Sequence, residues 1–186
     1  MTIRSLATSA SVLALCLIGT IGIGGAAARD RIAPFRIAAA QNAAPDFAGI
    51  SNWFNSEPLS IASLRGKVVL VDFWTYGCVN CVNTLPHVTE LYAKYRGRGL
   101  VVVGIHTPEF PFEKSAANVQ AALRRHGIAY PVAQDNESRT WNAYGNQYWP
   151  AQYIVDQRGN IVFQHDGEGQ YEQMDRTIAR LLNASG

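Results

Sequence analysis

Two continuous apolar runs dominate the first half of the chain. "GKVVLVDFW" (residues 66–74) and "LVVVGIH" (residues 100–106) are rich in β-branched residues, a pattern typical of strands buried on both faces. Between these runs, apolar side chains recur every three or four positions, which predicts an amphipathic helix. These positions are Leu85, Val88, Leu91, Tyr92 and Tyr95. The pattern therefore predicts a strand, a helix and a second strand, and the helix is ended by the glycines at 97 and 99.

The second half alternates helical and extended patterns. In chain order these predict a helix, a strand, a helix, a two-stranded hairpin and a closing amphipathic helix, at residues 116–123, 130–135, 137–145, 151–165 and 171–182. The hairpin prediction rests on the turn residues "QRG" between two runs whose composition is typical of strands. The order β-α-β-α-β-α-β-β-α predicts an α/β fold. Its central sheet is expected to be mostly parallel, with an antiparallel C-terminal hairpin and helices on both faces.

The N-terminal residues have the pattern of an export signal. Residues 11–25 are apolar, Arg4 precedes them, and "AAA" at 26–28 offers a cleavage site, so residues 1–28 are predicted to be a signal peptide. Roughly fifteen apolar residues are few for a membrane span, but an uncleaved anchor is the alternative. Residues 29–45 are rich in alanine without a clear period and predict a flexible leader. Residues 46–186 are then the domain.

Charge and cysteine content narrow the possible functions. The formal net charge of +2 and the lack of Lys/Arg runs argue against an electrostatic nucleic-acid or membrane-surface partner. Removal of residues 1–28 takes away Cys16 and leaves Cys78 and Cys81 as the two cysteines of the mature chain. An exported protein meets an oxidising compartment, where two cysteines can form a disulfide. The function of the protein therefore depends on the role of this pair.

Four roles are open to two cysteines three positions apart. A c-type haem anchor requires histidine after the second cysteine, but position 82 is valine. A tetrahedral zinc site usually takes four nitrogen or sulfur ligands, and the mature chain has no second cysteine pair. A structural disulfide across so short a loop contributes the least stability. The spacing beside a β-α-β pattern therefore favours a redox pair.

The position of the pair assigns different roles to its members. Cys78 is expected where the first strand has ended and the helix begins, and the partial positive charge of a helix N-terminus stabilises a thiolate. Cys81 lies one turn further into the helix and is expected to be less exposed. Cys78 is therefore predicted to attack a partner and Cys81 to resolve the mixed disulfide.

The stretch "VDFWTYGCVNCVNTLPH" resembles a thioredoxin active site. Asp72, six residues before Cys78, and Pro86, five after Cys81, match family positions. "WPAQYIVDQRGNI" is similar to the cis-proline loop and following hairpin of the family. "SIASLRGKVVLVDFW" and the helix–strand segment before Pro150 resemble the exported TlpA/ResA branch. "FWTYGCVNCVNTLPH" and "GIHTPEFPFEK" are most similar to the redoxin domains of DipZ-type proteins.

The resemblance, which extends from about residue 46 to the C-terminus, implies a thioredoxin fold with a TlpA-type helix–strand insertion. It implies that Asp72 transfers a proton to and from Cys81, since a carboxylate in an apolar strand needs a task or a partner. It also implies a cis peptide bond between Trp149 and Pro150, next to which an extended substrate segment binds.

Several neighbours of the pair are further candidates. Trp74 and Tyr76 are predicted to form an apolar rim for a partner chain, with core packing as the alternative. Gly77 is expected to allow a close backbone approach. His106 and Glu109 follow the second parallel strand, and sites gather at the carboxyl ends of such strands. They are candidates for tuning Cys78, although a turn set by the nearby prolines is the simpler interpretation.

These features predict an exported thiol:disulfide oxidoreductase of the periplasm or envelope, without a cofactor or metal. Its expected partners are cysteine-containing exported proteins, and a separate CcdA/DsbD-type membrane protein would deliver electrons. The reductant role is implied by the TlpA/ResA resemblance. Because Val79 and Asn80 replace the Gly-Pro of thioredoxin, the potential of thioredoxin cannot be transferred. A thiol peroxidase and a copper-binding chaperone are the alternatives.

Overall fold

The computed structural model describes residues 42–184. Its strands are β1 (Asn52–Phe54), β2 (Val68–Trp74), β3 (Leu100–His106), β4 (Val132–Gln134), β5 (Ala151–Val155) and β6 (Ile161–Asp166). Its α-helices are α1 (Val79–Tyr95), α2 (Ala116–Arg125), α3 (Arg139–Ala143) and α4 (Tyr171–Asn183). Two 3-10 helices, Arg96–Arg98 and Pro111–Lys114, follow α1 and precede α2. The predicted signal peptide lies outside the described residues, as does most of the predicted leader.

The six strands form one sheet in the order β1-β4-β3-β2-β5-β6. The pairs β2–β3 and β3–β4 are parallel, whereas β1–β4, β2–β5 and β5–β6 are antiparallel. The thioredoxin fold implied by the resemblance is confirmed, together with the C-terminal hairpin. The expectation of a mostly parallel sheet is corrected to a mixed sheet, because β5 runs antiparallel to its central neighbour β2.

Both faces of the sheet are covered. One face packs against apolar residues of α1, α2 and α4, such as Leu85, Leu123 and Ile178. The other face packs against the segment before β2 and against Tyr144 after α3. The seven residues of β2 are all buried, which is why their sequence is continuously apolar instead of alternating. The single charged residue in that strand, Asp72, is therefore held inside the domain.

Two features at the N-terminal side differ from the sequence predictions. Strand β1 was not predicted, since three residues at a sheet edge carry no readable period. The leader was predicted to extend to residue 45, but Ala43 forms a bridge with Asn160, and the Ala44 N–H donates to the Gly159 carbonyl at 2.9 Å. Residues 42–44 are therefore paired with the β5–β6 hairpin region of the domain.

Gly104 in β3 is required by packing. A Cβ atom there would lie 3.0 Å from the Trp74 Nε1 and 3.1 Å from the Tyr130 Cε2, closer than van der Waals contact. We expect Gly104→Ala to lower the free energy of unfolding by about 1–3 kcal/mol, because overpacking a core forces side chains and backbone to shift. Urea unfolding followed by tryptophan fluorescence measures this change.

Gly97 provides the matched control. Nothing lies within 4 Å of a Cβ atom built there, so Gly97→Ala is expected to change the free energy of unfolding by less than about 0.5 kcal/mol. Equal effects of the two substitutions would contradict the packing argument.

Candidate active site

Cys78 lies at the junction between β2 and α1. It is the N-cap of α1, with an extended backbone, and its Sγ accepts a hydrogen bond from the Cys81 backbone N–H at 3.3 Å. The Cys78 N–H in turn donates to the Thr75 carbonyl. Both cysteines are free thiols. The first thiol therefore faces the N-terminal end of a 17-residue helix, where partial positive charge favours the thiolate.

The two thiols differ in access. Cys78 is half-buried, whereas only 1% of Cys81 is exposed. Burial raises the pKa of the Cys81 thiol strongly, and the hydrogen bond with Cys78 raises it further. A partner sulfur can therefore reach Cys78 but not Cys81, and Cys81 reacts after a base has removed its proton.

Asp72 is the carboxylate that can serve as this base. Its side chain is buried, and burial raises its pKa from 3.8 to about 6. The amide of Gln152, the register partner of Asp72 on β5, donates to the Asp72 Oδ1 at 3.0 Å and opposes that rise. The charge of Asp72 also contributes to the raised pKa of Cys81. A carboxyl group with a pKa near neutrality can accept and return a proton.

The Trp149–Pro150 peptide bond is cis, as the resemblance implies. The Trp149 indole N–H donates to the Thr107 carbonyl at 3.1 Å, and its ring lies 4.1 Å from that of Trp141. Ala151 pairs with Phe73 on β2, so Pro150 lies at the same end of the sheet as Cys78. The loop is therefore anchored beside the cysteine pair.

Trp74 does not face a partner. Its side chain is fully buried, edge-on to His106 with the ring centroids 5.2 Å apart. The prediction that Trp74 contributes to a substrate-binding rim is therefore wrong, and the alternative of core packing holds, because the ring packs against α1 and against Gly104 and His106 of β3. Tyr76 is partly exposed and remains a candidate for that rim.

His106 and Glu109 occupy different environments. His106 is buried and stacked on Tyr76, with the ring centroids 5.4 Å apart. Burial lowers its pKa to about 4, although the charge of Glu113 opposes this shift, so the imidazole is neutral at neutral pH. The side chain of Glu109 is exposed. His106 is therefore inside the domain, whereas Glu109 is at its surface.

Sequence reasoning missed two polar residues of the site. Gln152 is a polar residue inside an apolar strand, the same signal that singled out Asp72, so it was detectable. Glu113 is completely buried and accepts a hydrogen bond from the backbone N–H of Gly77 at 2.9 Å. No spacing rule distinguishes Glu113 from Glu109, because the 3-10 helix that carries Glu113 (Pro111–Lys114) is too short to show a period.

Residues 42–184 contain neither a cluster of metal ligands nor a helix that could span a membrane. Within that range, no group of three or more His, Cys, Asp or Glu side chains is arranged to hold a metal ion. The helices described there are also too short or too polar to cross a membrane.

Sequence comparisons connect this site with known proteins. A profile of the AhpC/TSA family matches residues 40–164. Protein DipZ of Mycobacterium bovis (strain ATCC BAA-935 / AF2122/97) is 46% identical over 143 residues, which cover 75% of this chain and 21% of DipZ. The chain thus spans about a fifth of DipZ. Thiol-disulfide oxidoreductase YkuV of Bacillus subtilis (strain 168) is 28% identical, with 74% of this chain and 93% of YkuV covered.

Solved structures agree with the sequence matches. Thioredoxin-like superfamily protein SPOA0173 aligns with a TM-score of 0.70 and 28% identity over 76% of this chain and 96% of its own. A thiol-disulfide isomerase from Corynebacterium glutamicum aligns with a TM-score of 0.67 and 26% identity over 75% and 96%. The chain belongs to the AhpC/TSA family and has a thioredoxin-like fold.

Proposed function

We propose that this chain is an exported enzyme that reduces disulfides of other proteins through Cys78 and Cys81. The observation that carries the proposal is the asymmetry of the pair: an accessible thiol at a helix N-terminus, and a buried thiol on which the charge of the buried Asp72, whose pKa is about 6, acts. A structural disulfide needs neither the difference in access nor the carboxyl group.

The reaction consists of two exchanges. The Cys78 thiolate attacks one sulfur of the partner disulfide, and the other partner sulfur leaves as a thiolate and takes a proton. Asp72 then accepts the proton of Cys81, whose thiolate attacks the Cys78 sulfur and expels the second partner thiolate. The partner gains two electrons, and Cys78–Cys81 becomes a disulfide. A separate thiol donor, for which a CcdA/DsbD-type membrane protein is the candidate, returns the two electrons.

Export is supported by the leader pattern at residues 1–28. Thiol-disulfide exchange is supported by similarity to thiol-disulfide oxidoreductase ResA of Halalkalibacterium halodurans, which is 29% identical over 68% of each chain. The reductant direction is what the resemblance to the TlpA/ResA branch implies. Cysteine-containing exported proteins are the substrates that an exported reductant would meet.

The reduction potential tests the direction of electron flow. Residues 29–186 are equilibrated with dithiothreitol and glutathione buffers, and tryptophan fluorescence reports the redox state. A potential near about −270 mV, the value of thioredoxin, supports a reductant. A value above about −180 mV would identify an oxidant or isomerase instead.

Exposed apolar side chains support a protein substrate. Val79 follows Cys78, Tyr148 precedes the cis-proline loop, and Phe112 lies beside Tyr76, whose hydroxyl donates to the Phe112 carbonyl at 2.9 Å. With the partly exposed Tyr76 and Trp149, and with the buried Pro150 next to Trp149, they are proposed to bind the segment around a substrate cysteine.

We expect Phe112→Ser to lower kcat/KM for a protein disulfide about fivefold, because roughly 1 kcal/mol of apolar burial is lost in the complex. Exchange with oxidised glutathione is expected to stay unchanged, since that small substrate does not reach the ring. Val162→Ser is the control: Val162 is also exposed but lies at the opposite end of β6 from the cis-proline loop. Equal losses with both substrates would exclude a role in protein recognition.

Peroxide is the competing substrate, since the chain belongs to the AhpC/TSA family. The residues before Cys78 read "FWTYG", without the proline that thiol peroxidases usually carry there. Hydrogen peroxide consumption by the reduced protein, measured beside disulfide reduction at the same thiol concentration, separates the two activities. Faster turnover of peroxide would replace the disulfide proposal.

A further inference from the structure

We propose that Glu113 is a positioning residue of the active site, which holds the turn before Cys78 and whose buried negative charge makes the Cys78–Cys81 pair more strongly reducing. This inference deepens the proposed function and rests on it. Nothing in the loop sequence marks Glu113. Its role follows from where the fold places its carboxylate.

The carboxylate joins two segments. Its Oε1 accepts the Gly77 N–H at 2.9 Å, one residue before Cys78. Its Oε2 accepts the N–H groups of Glu109 and Phe110 at 2.7 and 2.9 Å. One side chain therefore connects the turn that carries the nucleophile to the loop that carries the exposed Phe110 and Phe112.

The contact between the Glu113 carboxylate and the backbone of residue 77 explains why that residue is glycine. A Cβ atom at position 77 would collide with the Glu113 Oε1, so only glycine allows the carboxylate to approach the backbone this closely. The hydrogen bond from the Tyr76 hydroxyl to the Phe112 carbonyl fastens the same two segments a second time. The loop is thus tied to the active-site turn at two consecutive residues, Phe112 and Glu113.

The group is held as an uncompensated carboxylate. All three hydrogen-bond partners are donors, and the side chain is completely buried. None of the three ion pairs found within residues 42–184 includes Glu113. Its charge already acts on one neighbour, since it opposes the lowering of the His106 pKa. A buried charge is screened less than an exposed one, so it acts over a longer distance.

The sign of the effect follows from the redox states. The reduced pair reacts through the Cys78 thiolate, which is negatively charged, whereas the disulfide is neutral. A negative charge close by raises the free energy of the thiolate and so favours the disulfide. Glu113 therefore lowers the reduction potential of the pair, which suits a donor of electrons.

The test compares two single substitutions in the full-length mature chain. Glu113→Gln removes the charge and keeps an amide oxygen that can accept the Gly77 N–H. Glu109→Gln removes the same charge from an exposed side chain of the same loop. The equilibrium constant for exchange with glutathione is measured for both variants and for the wild type.

We expect Glu113→Gln to shift the equilibrium at least threefold toward the reduced pair, and Glu109→Gln to shift it less than 1.5-fold. Equal shifts in both variants, or no shift in Glu113→Gln, would overturn the proposal. If Glu113→Gln does not fold, Glu113→Asp decides the question. Its charge lies one methylene farther from Gly77, so the shift is expected in the same direction and smaller, and an unchanged equilibrium would reject the electrostatic role.

The role of Glu113 and the reductant role of the chain give different outcomes in these experiments. A wild-type chain that oxidises substrate proteins would reject the reductant role, while the difference between the Glu113 and Glu109 variants would still measure the effect of the buried charge. A wild-type chain that reduces protein disulfides, with the two variants unchanged, would reject Glu113 alone.

Discussion

Cys81→Ser is expected to accumulate a stable mixed disulfide between Cys78 and a substrate cysteine. In this variant the accessible thiol still attacks, but the buried group at position 81 can no longer expel the substrate. Cys78→Ser is expected to form no adduct and to lose at least about 10³-fold in exchange rate, because the thiolate is the nucleophile. Non-reducing electrophoresis and mass spectrometry after incubation with a disulfide-containing protein detect the adduct.

The pair of variants also tests the assigned roles. The partial exposure of Cys78 and the burial of Cys81 predict that the adduct maps to Cys78 alone. Adducts at Cys81 in Cys78→Ser would mean that the helix opens at its first turn, so that the order of attack is not set by burial.

Asp72→Asn is expected to slow turnover and to stabilise the fold at the same time. General acid–base catalysis contributes about 10²–10⁴-fold, so the release of substrate from the mixed disulfide should slow about 10²-fold at pH 7. The free energy of unfolding rises in the variant because ionisation of a buried carboxyl group with a raised pKa destabilises the folded wild type, and asparagine cannot ionise. The shift from 3.8 to about 6 corresponds to up to about 3 kcal/mol at neutral pH.

The pH dependence gives the sign of this effect. Below about pH 3.8 Asp72 is protonated in both the folded and the unfolded chain, so its ionisation does not affect stability. Between pH 3.8 and about 6 the folded state keeps its proton while the unfolded state loses it, so the wild type loses stability as pH rises. Urea unfolding of Asp72→Asn and wild type between pH 4 and 7.5 should show a difference that grows and then levels off above pH 6. A constant difference would show that Asp72 does not titrate in this range.

Local patterns were sufficient for most of the fold. The buried runs that became β2 and β3, the helix that became α1 and the hairpin of β5 and β6 were all readable, because their periods are long or their turn residues specific. The direction of β5 was not readable. Pairing order in a sheet depends on contacts between distant segments, and residues 151–155 would be equally apolar in either direction.

Some residues of the candidate site could also be identified from the sequence, whereas others are recognised only in the folded structure. Cys78 and Cys81 are identified by spacing alone, and Asp72 is conspicuous because an ionisable group in an apolar strand is costly. Trp74 was misassigned because proximity in sequence to Cys78 does not show which side of the sheet a ring faces or what covers it. Gln152 and Glu113 come from segments 80 residues from Asp72 and 36 residues from Gly77 along the chain, so only folding reveals these contacts.

The sequence by itself therefore determined the chemistry of this protein: a cysteine pair at the start of a helix, a buried acid, and a domain of alternating strands and helices. The tertiary structure decided how that chemistry is adjusted. It placed Gln152 on the carboxyl of Asp72, aligned the cis-proline loop with the end of β2, and brought the carboxylate of Glu113 to the backbone of Gly77. The physical reason is that bond-forming residue types are visible locally, whereas burial and electrostatic environment are created by packing between distant segments.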